Sequence, residues 1–243
     1  MNDQLTATNP GGGGVARVAV VTGAASGLGA AVAAALLEKG WLVAGLDLHA
    51  SQTTKSIQVD VTDFAAIKLA VDSVEKELGP IEALVTAAGV YEELLPEEIT
   101  EQHWNRIFDI NVGGTVNACA AVIPLLAERG RGALVTISSD LGLGGSQGDA
   151  HYAATKGAII GLTRSLATEL ANLGITVNSV APGAADTPLL GADSPWRSEA
   201  FLSTWPVSRL VSPAEISASV MFVIEMGTAM TGQIVSPNSG ATI

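Results

Sequence analysis

One stretch constrains this chain more than any other. The apolar run from Val18 to Thr22 breaks on Gly23, Gly27 and Gly29 and reopens as AAVAAALL, residues 30–37, which reads as strand, tight turn, helix. Glycines between a buried strand and a helix N-terminus let backbone N–H groups and the positive helix end approach a pyrophosphate without Cβ obstruction. The turn residues Gly23, Ser26, Gly27, Leu28 and Gly29 are therefore expected to hold a dinucleotide. The spacing is T-G-x-x-x-G-x-G, which meets the general G-x-G-x-x-G pattern only loosely, and a plain turn would use the same residues.

The pattern repeats along the chain. Strands are expected near 17–22, 41–46, 56–59, 82–86, 132–138, 175–180 and 232–236, and helices near 27–39, 63–78, 97–109, 112–128, 150–173 and 213–225. Strand-helix alternation implies one α/β domain, a doubly wound parallel sheet of about seven strands flanked by helices, over residues 15–243. Residues 1–14, with four consecutive glycines, read as a flexible leader. Thr62-Asp63, Thr100 and Ser212-Pro213 are expected helix starts. Aromatic residues make up only 4% of the chain, so the core must come from Ala, Val, Leu and Ile.

Composition also excludes. A net charge of −12 argues against nucleic acid and anionic membranes, which demand basic surfaces. No apolar run approaches the roughly 20 residues of a membrane span, and no signal peptide is recognisable; a cytoplasmic location is expected. The single Cys119 excludes an internal disulfide and reads as a buried, inert thiol. No metal-ligand spacing links His49, His103 and His151. His49 and His103 read as surface or helix-end residues, and His151 is placed at the pocket mouth.

Asp47 ends the second strand, where a carboxylate accepts hydrogen bonds from ribose hydroxyls and repels a 2′-phosphate. No Lys or Arg stands in the glycine turn or just after Asp47, so NAD is expected over NADP. Further on, Tyr152 and Lys156 lie one turn apart on one helix face. An ammonium near a phenol favours phenolate and would lower the tyrosine pKa toward the working pH, fitting Tyr152 to exchange a proton with a carbonyl or alcohol oxygen. Ser139, at the C-terminal end of a strand, can hold the same oxygen. Asp140 and Asp149 flank the glycine-rich loop between them and read as cap or loop residues.

Together, Thr22 to Gly29, Asp60-Val61, Ala88-Gly89, Asn111 in Asp-Ile-Asn-Val, Ser139, Tyr152-x-x-x-Lys156, and Pro182-Gly183 with Thr187-Pro188 closely resemble the short-chain dehydrogenase/reductase family. The match runs from about Val15 to Gly240. It implies a Rossmann-type fold, Tyr152 as general acid/base, Ser139 polarising the substrate oxygen, and Lys156 lowering the tyrosine pKa and binding the nicotinamide ribose. Asn111 would support a water-linked relay to Lys156. Leu48, Asp60 and Val61 would lie at the adenosine end, Ala88 and Gly89 along the cofactor, and Pro182, Gly183 and Thr187 at the nicotinamide end. A homotetramer is implied as well. Two departures stand out: Thr86-Ala-Ala-Gly89 replaces the usual Asn-Asn-Ala-Gly, and a segment containing Pro237-Asn-Ser-Gly240 replaces the common Val-Asp-Gly-Gly ending.

In this family the segment at about 188–212 forms a lid over a small-molecule substrate. Here it concentrates Leu189, Leu190, Trp196, Phe201 and Trp205, with Leu141, Leu143 and Gln147 expected on the facing wall. An apolar, cyclic or aromatic secondary alcohol or ketone follows; alternatively these residues only pack the lid down. Arg197 and Arg209 stand open as anion contacts or solvated charges. The rival activity is a 3-oxoacyl-acyl-carrier-protein or acyl-CoA reductase, against which Asp47, the acidic charge and Leu173 count. A non-catalytic NAD-binding regulator would not need Asn111, Ser139, Tyr152 and Lys156 together.

Overall fold

The computed structural model describes residues 16–242; the leader expected over 1–14 lies outside them. Strands β1 (Val18–Thr22), β2 (Leu42–Asp47), β3 (Lys55–Gln58), β4 (Ile81–Thr86), β5 (Gly132–Ile137), β6 (Ile175–Val180) and β7 (Ile234–Val235) form a parallel sheet in the order β3-β2-β1-β4-β5-β6-β7. Helices α1 (Gly27–Glu38), α2 (Phe64–Glu77), α3 (Glu101–Phe108), α4 (Gly114–Arg129), α5 (Leu141–Gly144), α6 (Ala150–Leu170), α7 (Glu199–Leu202) and α8 (Pro213–Glu225) accompany it. The central strands are continuous apolar runs because both faces are covered. Val18, Val20 and Leu84 pack with Ile67, Val122 and Leu126 on one side, while Ala19, Val21 and Val85 pack with Val32, Leu36 and Val220 on the other.

The expected helix starts are capped by those side chains. Asp63 accepts from Ala66 N–H, Thr100 from His103 N–H, and Ser212 forms a capping box with Glu215. The last strand shrinks to two residues because Pro237, just beyond it, has no N–H to continue a ladder. The two helices expected over 97–128 are one continuous run from Glu101 to Arg129, joined by a π turn at Asp109–Gly113. By length and composition alone this run could cross a bilayer, contrary to the expectation above. In the fold, its Ala118, Cys119, Val122 and Leu126 pack into the core.

Strand order reverses between β1 and β4, so the loops leaving their C-terminal ends diverge. A crevice opens there, as open α/β sheets require at such a switch point.

Candidate active site

A cavity of about 510 Å³ fills that crevice. The glycine turn forms one end. Gly23 has φ +69°, and a Cβ on it would stand 2.7 Å from the Ala88 backbone; one on Gly29 would stand 2.1 Å from the Gly23 carbonyl oxygen. Only glycine permits this closeness. Ser26 makes no side-chain capping bond to α1, and the first turn carries no acid, so the helix-end amides remain available to an anion. Beyond the turn, Asp47, Leu48, Asp60 and Val61 line one part of the cavity, and Ala88, Gly89, Pro182, Gly183 and Thr187 the rest. This is a cradle in which a dinucleotide fits.

Asp47 also builds the cradle: Oδ2 accepts from Ala25 N–H at 3.0 Å and Oδ1 from His49 N–H at 2.9 Å. Asp60 folds its own turn by accepting from the N–H and hydroxyl of Thr62. Where the family's second asparagine is replaced, Thr22 Oγ1 accepts from Ala87 N–H at 3.1 Å and Ala88 N–H at 3.2 Å, bracing the loop instead. Thr86 contributes no such bond; its buried hydroxyl has no partner.

At the other end Ser139, Tyr152 and Lys156 line the wall, each under a tenth exposed. Ser139 leaves the end of β5 and accepts from Leu141 N–H at 3.2 Å. Tyr152 and Lys156 lie one turn apart on α6, with Lys156 Nζ 5.5 Å from the Tyr152 ring centre. The ammonium donates to the Ile137 carbonyl at 3.0 Å. Asn111 does not line the cavity. It sits fully buried in the π turn, a distortion common at functional sites. Its Oδ1 accepts from Val90 N–H at 2.8 Å, and its Nδ2 donates to Val90 O at 3.0 Å and Thr155 Oγ1 at 3.2 Å. The side chain thus ties the loop after β4 to α6.

The electrostatics correct one expectation. Burial pushes the Tyr152 phenol well above its ordinary value; Asp140 and Asp149 push the same way and only the Ser139 hydroxyl opposes. Lys156 is not among the groups acting on it. Burial instead lowers the lysine to about 8. The protein alone therefore does not make Tyr152 acidic, because its cation is desolvated and turned toward Ile137.

The sequence reading passed over Tyr91. It lines the cavity with its ring edge-on to Tyr152, centroids 5.0 Å apart. The signal was available: an aromatic residue just past Ala88-Gly89 at the end of a switch-point strand. Asp149, expected as a cap or loop residue, stands at the N-cap position of α6 but fully buried, its carboxylate beside the Tyr91 and Ser146 hydroxyls; His151, expected at the pocket mouth, is also fully buried, and its ring nitrogens have no hydrogen-bond partner. Burial raises the Asp149 acid and lowers His151. His49 is exposed, and His103 closes the α3 capping box. Burial pushes the Cys119 thiol up to about 12. Among the described residues no His, Cys, Asp and Glu cluster could hold a metal ion.

The lid departs from expectation. Leu141, Leu189 and Trp196 line the cavity, but Gln147, Phe201 and Trp205 do not. Gln147 is exposed on the loop before α6. The lid aromatics stack on one another, Trp196 to Phe201 at 4.9 Å and Phe201 to Trp205 at 5.5 Å, so only the first reaches the cavity. Trp205 is drawn inward because the C-terminal segment holds its neighbours: Val207 N–H donates to Ser239 O at 3.0 Å. The unusual ending thereby joins the lid to the Pro182-Gly183 loop, since Gly183 N–H donates to Pro237 O at 3.1 Å. Arg197 pairs with Asp186 and Arg209 with Glu215.

Residues 17–198 match the family model described as short chain dehydrogenase. The chain belongs to the short-chain dehydrogenase/reductase family. Nodulation protein G of Azospirillum brasilense is 33% identical over 92% of this chain and 97% of its own length. The 3-oxoacyl-[acyl-carrier-protein] reductase FabG of Vibrio harveyi is 32% identical over 92% and 96%. Among solved structures, ligand-free aldohexose dehydrogenase of Thermoplasma acidophilum superposes with a TM-score of 0.85 at 30% identity, covering 93% of each chain. ElxO with NADP bound gives 0.87 at 28%, covering 93% of this chain and 98% of its own. The chain is accordingly an oxidoreductase of the kind that works with a nicotinamide dinucleotide on a small molecule.

Proposed function

We propose that this chain interconverts a 3-oxoacyl and a 3-hydroxyacyl thioester with NAD(H). The observation that carries the substrate class is the run of relatives bearing the 3-oxoacyl reductase name, about a third identical over more than nine-tenths of the chain. The cavity wall is compatible with it: Leu141, Val90, Leu189 and Leu190 are aliphatic, Trp196 is the one lid aromatic lining it, and Tyr91 stands beside Tyr152. Such a wall suits a flexible acyl chain better than the cyclic or aromatic alcohol expected from the lid composition. Asp47 favours the dinucleotide without a 2′-phosphate.

Bound in the cradle, the dinucleotide supplies hydride exchange at the reacting carbon. Tyr152 holds the proton exchanged with the oxygen, and Ser139 donates a hydrogen bond to that oxygen as its charge grows. Lys156, one turn from Tyr152, would hold the cofactor ribose, while Asn111 fixes the loop and helix that carry the other groups.

A second reading keeps the apolar secondary alcohol or ketone. It is favoured by the pairing of Arg197 and Arg209 with acids, which leaves neither free for an acidic carrier or a thioester's phosphates. The deciding assay follows nicotinamide absorbance with 3-oxoacyl-CoA, a phosphate-free 3-oxoacyl thioester, and cyclic and aromatic ketones, each with NADH and NADPH. Fastest turnover of a cyclic ketone, with both thioesters inert, overturns the first reading. A cytoplasmic homotetramer belongs to the same proposal, supported by Trp104 and Val116, both about two-fifths exposed on the Glu101–Arg129 run; a monomer by light scattering removes it.

A further inference from the structure

The residue after Ser139 is a buried acid. Asp140 is 3% exposed, borders the cavity, and stands at the start of α5 without making a capping bond. Its Oδ1 lies 3.2 Å from Ser139 Oγ, which donates to it. Its other polar neighbours are the Leu141 backbone N–H and the Thr242 hydroxyl from the C-terminal segment. No ion pair includes it among the described residues. A carboxyl so placed is costly to bury and does no capping in return.

Ser139 has one proton and four claimants for it. Three are in the protein: Asp140 Oδ1 at 3.2 Å, the Pro182 carbonyl at 3.5 Å and the Tyr152 phenol oxygen. The fourth is the reacting oxygen. A carboxylate is the strongest of these acceptors, since charge-assisted hydrogen bonds are roughly twice as strong as neutral ones. A neutral carboxyl has a proton of its own to donate and no such claim.

We infer that Asp140 is a positioning residue that sets the direction of the Ser139 hydroxyl. As a neutral acid it donates to Ser139 Oγ and leaves the serine proton for the reacting oxygen; as a carboxylate it takes that proton. The two forms differ by one proton, exchanged with water. The inference rests on the reading that Ser139 donates to the substrate oxygen.

Burial raises the Asp140 acid to about 6, against the pull of the Ser139 hydroxyl. The titratable group coupled to it comes from α6: Tyr152, whose phenol its charge pushes up; the Lys156 ammonium is turned to Ile137 O and does not act on it. Asp140 is charged above its pKa, so Ser139 is withdrawn from the substrate as pH rises.

Two measurements on the full chain test this. In protein carrying carboxyl-labelled aspartate, the Asp140 signal, assigned by its loss in Asp140→Asn, should titrate near 6. Ser139→Ala should move it upward by about one unit, because the hydroxyl favours the charged form. In turnover, kcat/KM should fall through the same pH; Asp140→Asn should lack that limb and exceed the wild type by about tenfold above it. Asp140→Ala, unable to ionise, should lose the limb too. The inference is overturned if the Asp140 titration is indifferent to Ser139→Ala, or if either Asp140 variant keeps the limb. If no proposed substrate turns over while the titration responds to Ser139→Ala, the functional reading fails and the coupling stands.

Discussion

In the proposed function, cofactor choice turns on one carboxylate. Asp47 closes β2, lines the cavity beside Leu48, Asp60 and Val61, and accepts one backbone N–H on each oxygen. Each oxygen keeps a lone pair for a ribose hydroxyl. A 2′-phosphate would instead bring a charge of about −1.5 to −2 against it. Two like unit charges about 4 Å apart repel by about 1 kcal/mol in water and about 4 kcal/mol at the effective dielectric of a protein surface. Asp47 is half-buried and falls between these limits. Among the described residues Lys156 is the only Lys or Arg lining the cavity, and it lies at the end that holds Ser139 and Tyr152. NAD should therefore be preferred by at least about tenfold, or about 1.4 kcal/mol.

Two variants separate charge from architecture. Asp47→Asn removes the charge and keeps an acceptor, so the preference should narrow by about tenfold with the fold intact. Asp47→Ala also strands the half-buried Ala25 N–H, at a cost of about 1–3 kcal/mol. It should lower Tm and weaken both dinucleotides by loosening the turn before Gly27. The assay is kcat/KM for NADH and NADPH with one carbonyl substrate, paired with dinucleotide binding followed by fluorescence. Equal use of both cofactors by the wild type, or an unchanged ratio in Asp47→Asn, refutes the reasoning; ElxO, a structural neighbour, was solved with NADP bound.

Tyr152→Phe removes the phenol hydroxyl proposed to exchange the proton and should lower kcat by about 10² or more with dinucleotide affinity kept, as read by steady-state kinetics and a binding titration. Asn111→Ala strands the Val90 N–H and unties α6, so thermal unfolding should show a loss of about 1–3 kcal/mol together with reduced kcat. Lys156 titrates at about 8 in the fold against 10.5 when free, so its burial costs up to about 3 kcal/mol below pH 8, and the cost disappears as pH rises through 8 to 10.5. Lys156→Met should then raise Tm at neutral pH, less so in alkali, while impairing catalysis. Trp205→Ala should loosen the lid and raise KM by similar factors for small and bulky substrates; a selective loss for bulky ones would put Trp205 back in the pocket.

What the sequence made legible depended on how locally each feature is determined. The glycine turn, the capped helix starts and the Tyr152–Lys156 pair follow from contacts within a few residues, and the structure places them as read. Side chains whose surroundings come from distant elements were misplaced. Trp205 stands in an aromatic-rich lid, but Val207 bonded to Ser239 decides where it points, and no pattern near residue 205 carries that information. His151, expected at the pocket mouth, is instead fully buried near Glu92 and Asp149, and the cap residue Asp149 lies buried beside Tyr91, neighbours that come from a loop some sixty residues earlier. The π turn at Asn111 was read as a break between two helices because its extra residue shifts the apolar period. That shift turns Asn111 toward Val90 and Thr155, so the local irregularity that obscured the helix is the feature that makes the residue useful. Ser139 shows the same limit within one residue: its place at a strand end was readable, whereas the acceptor competing for its proton is set by the burial of Asp140 under the fold.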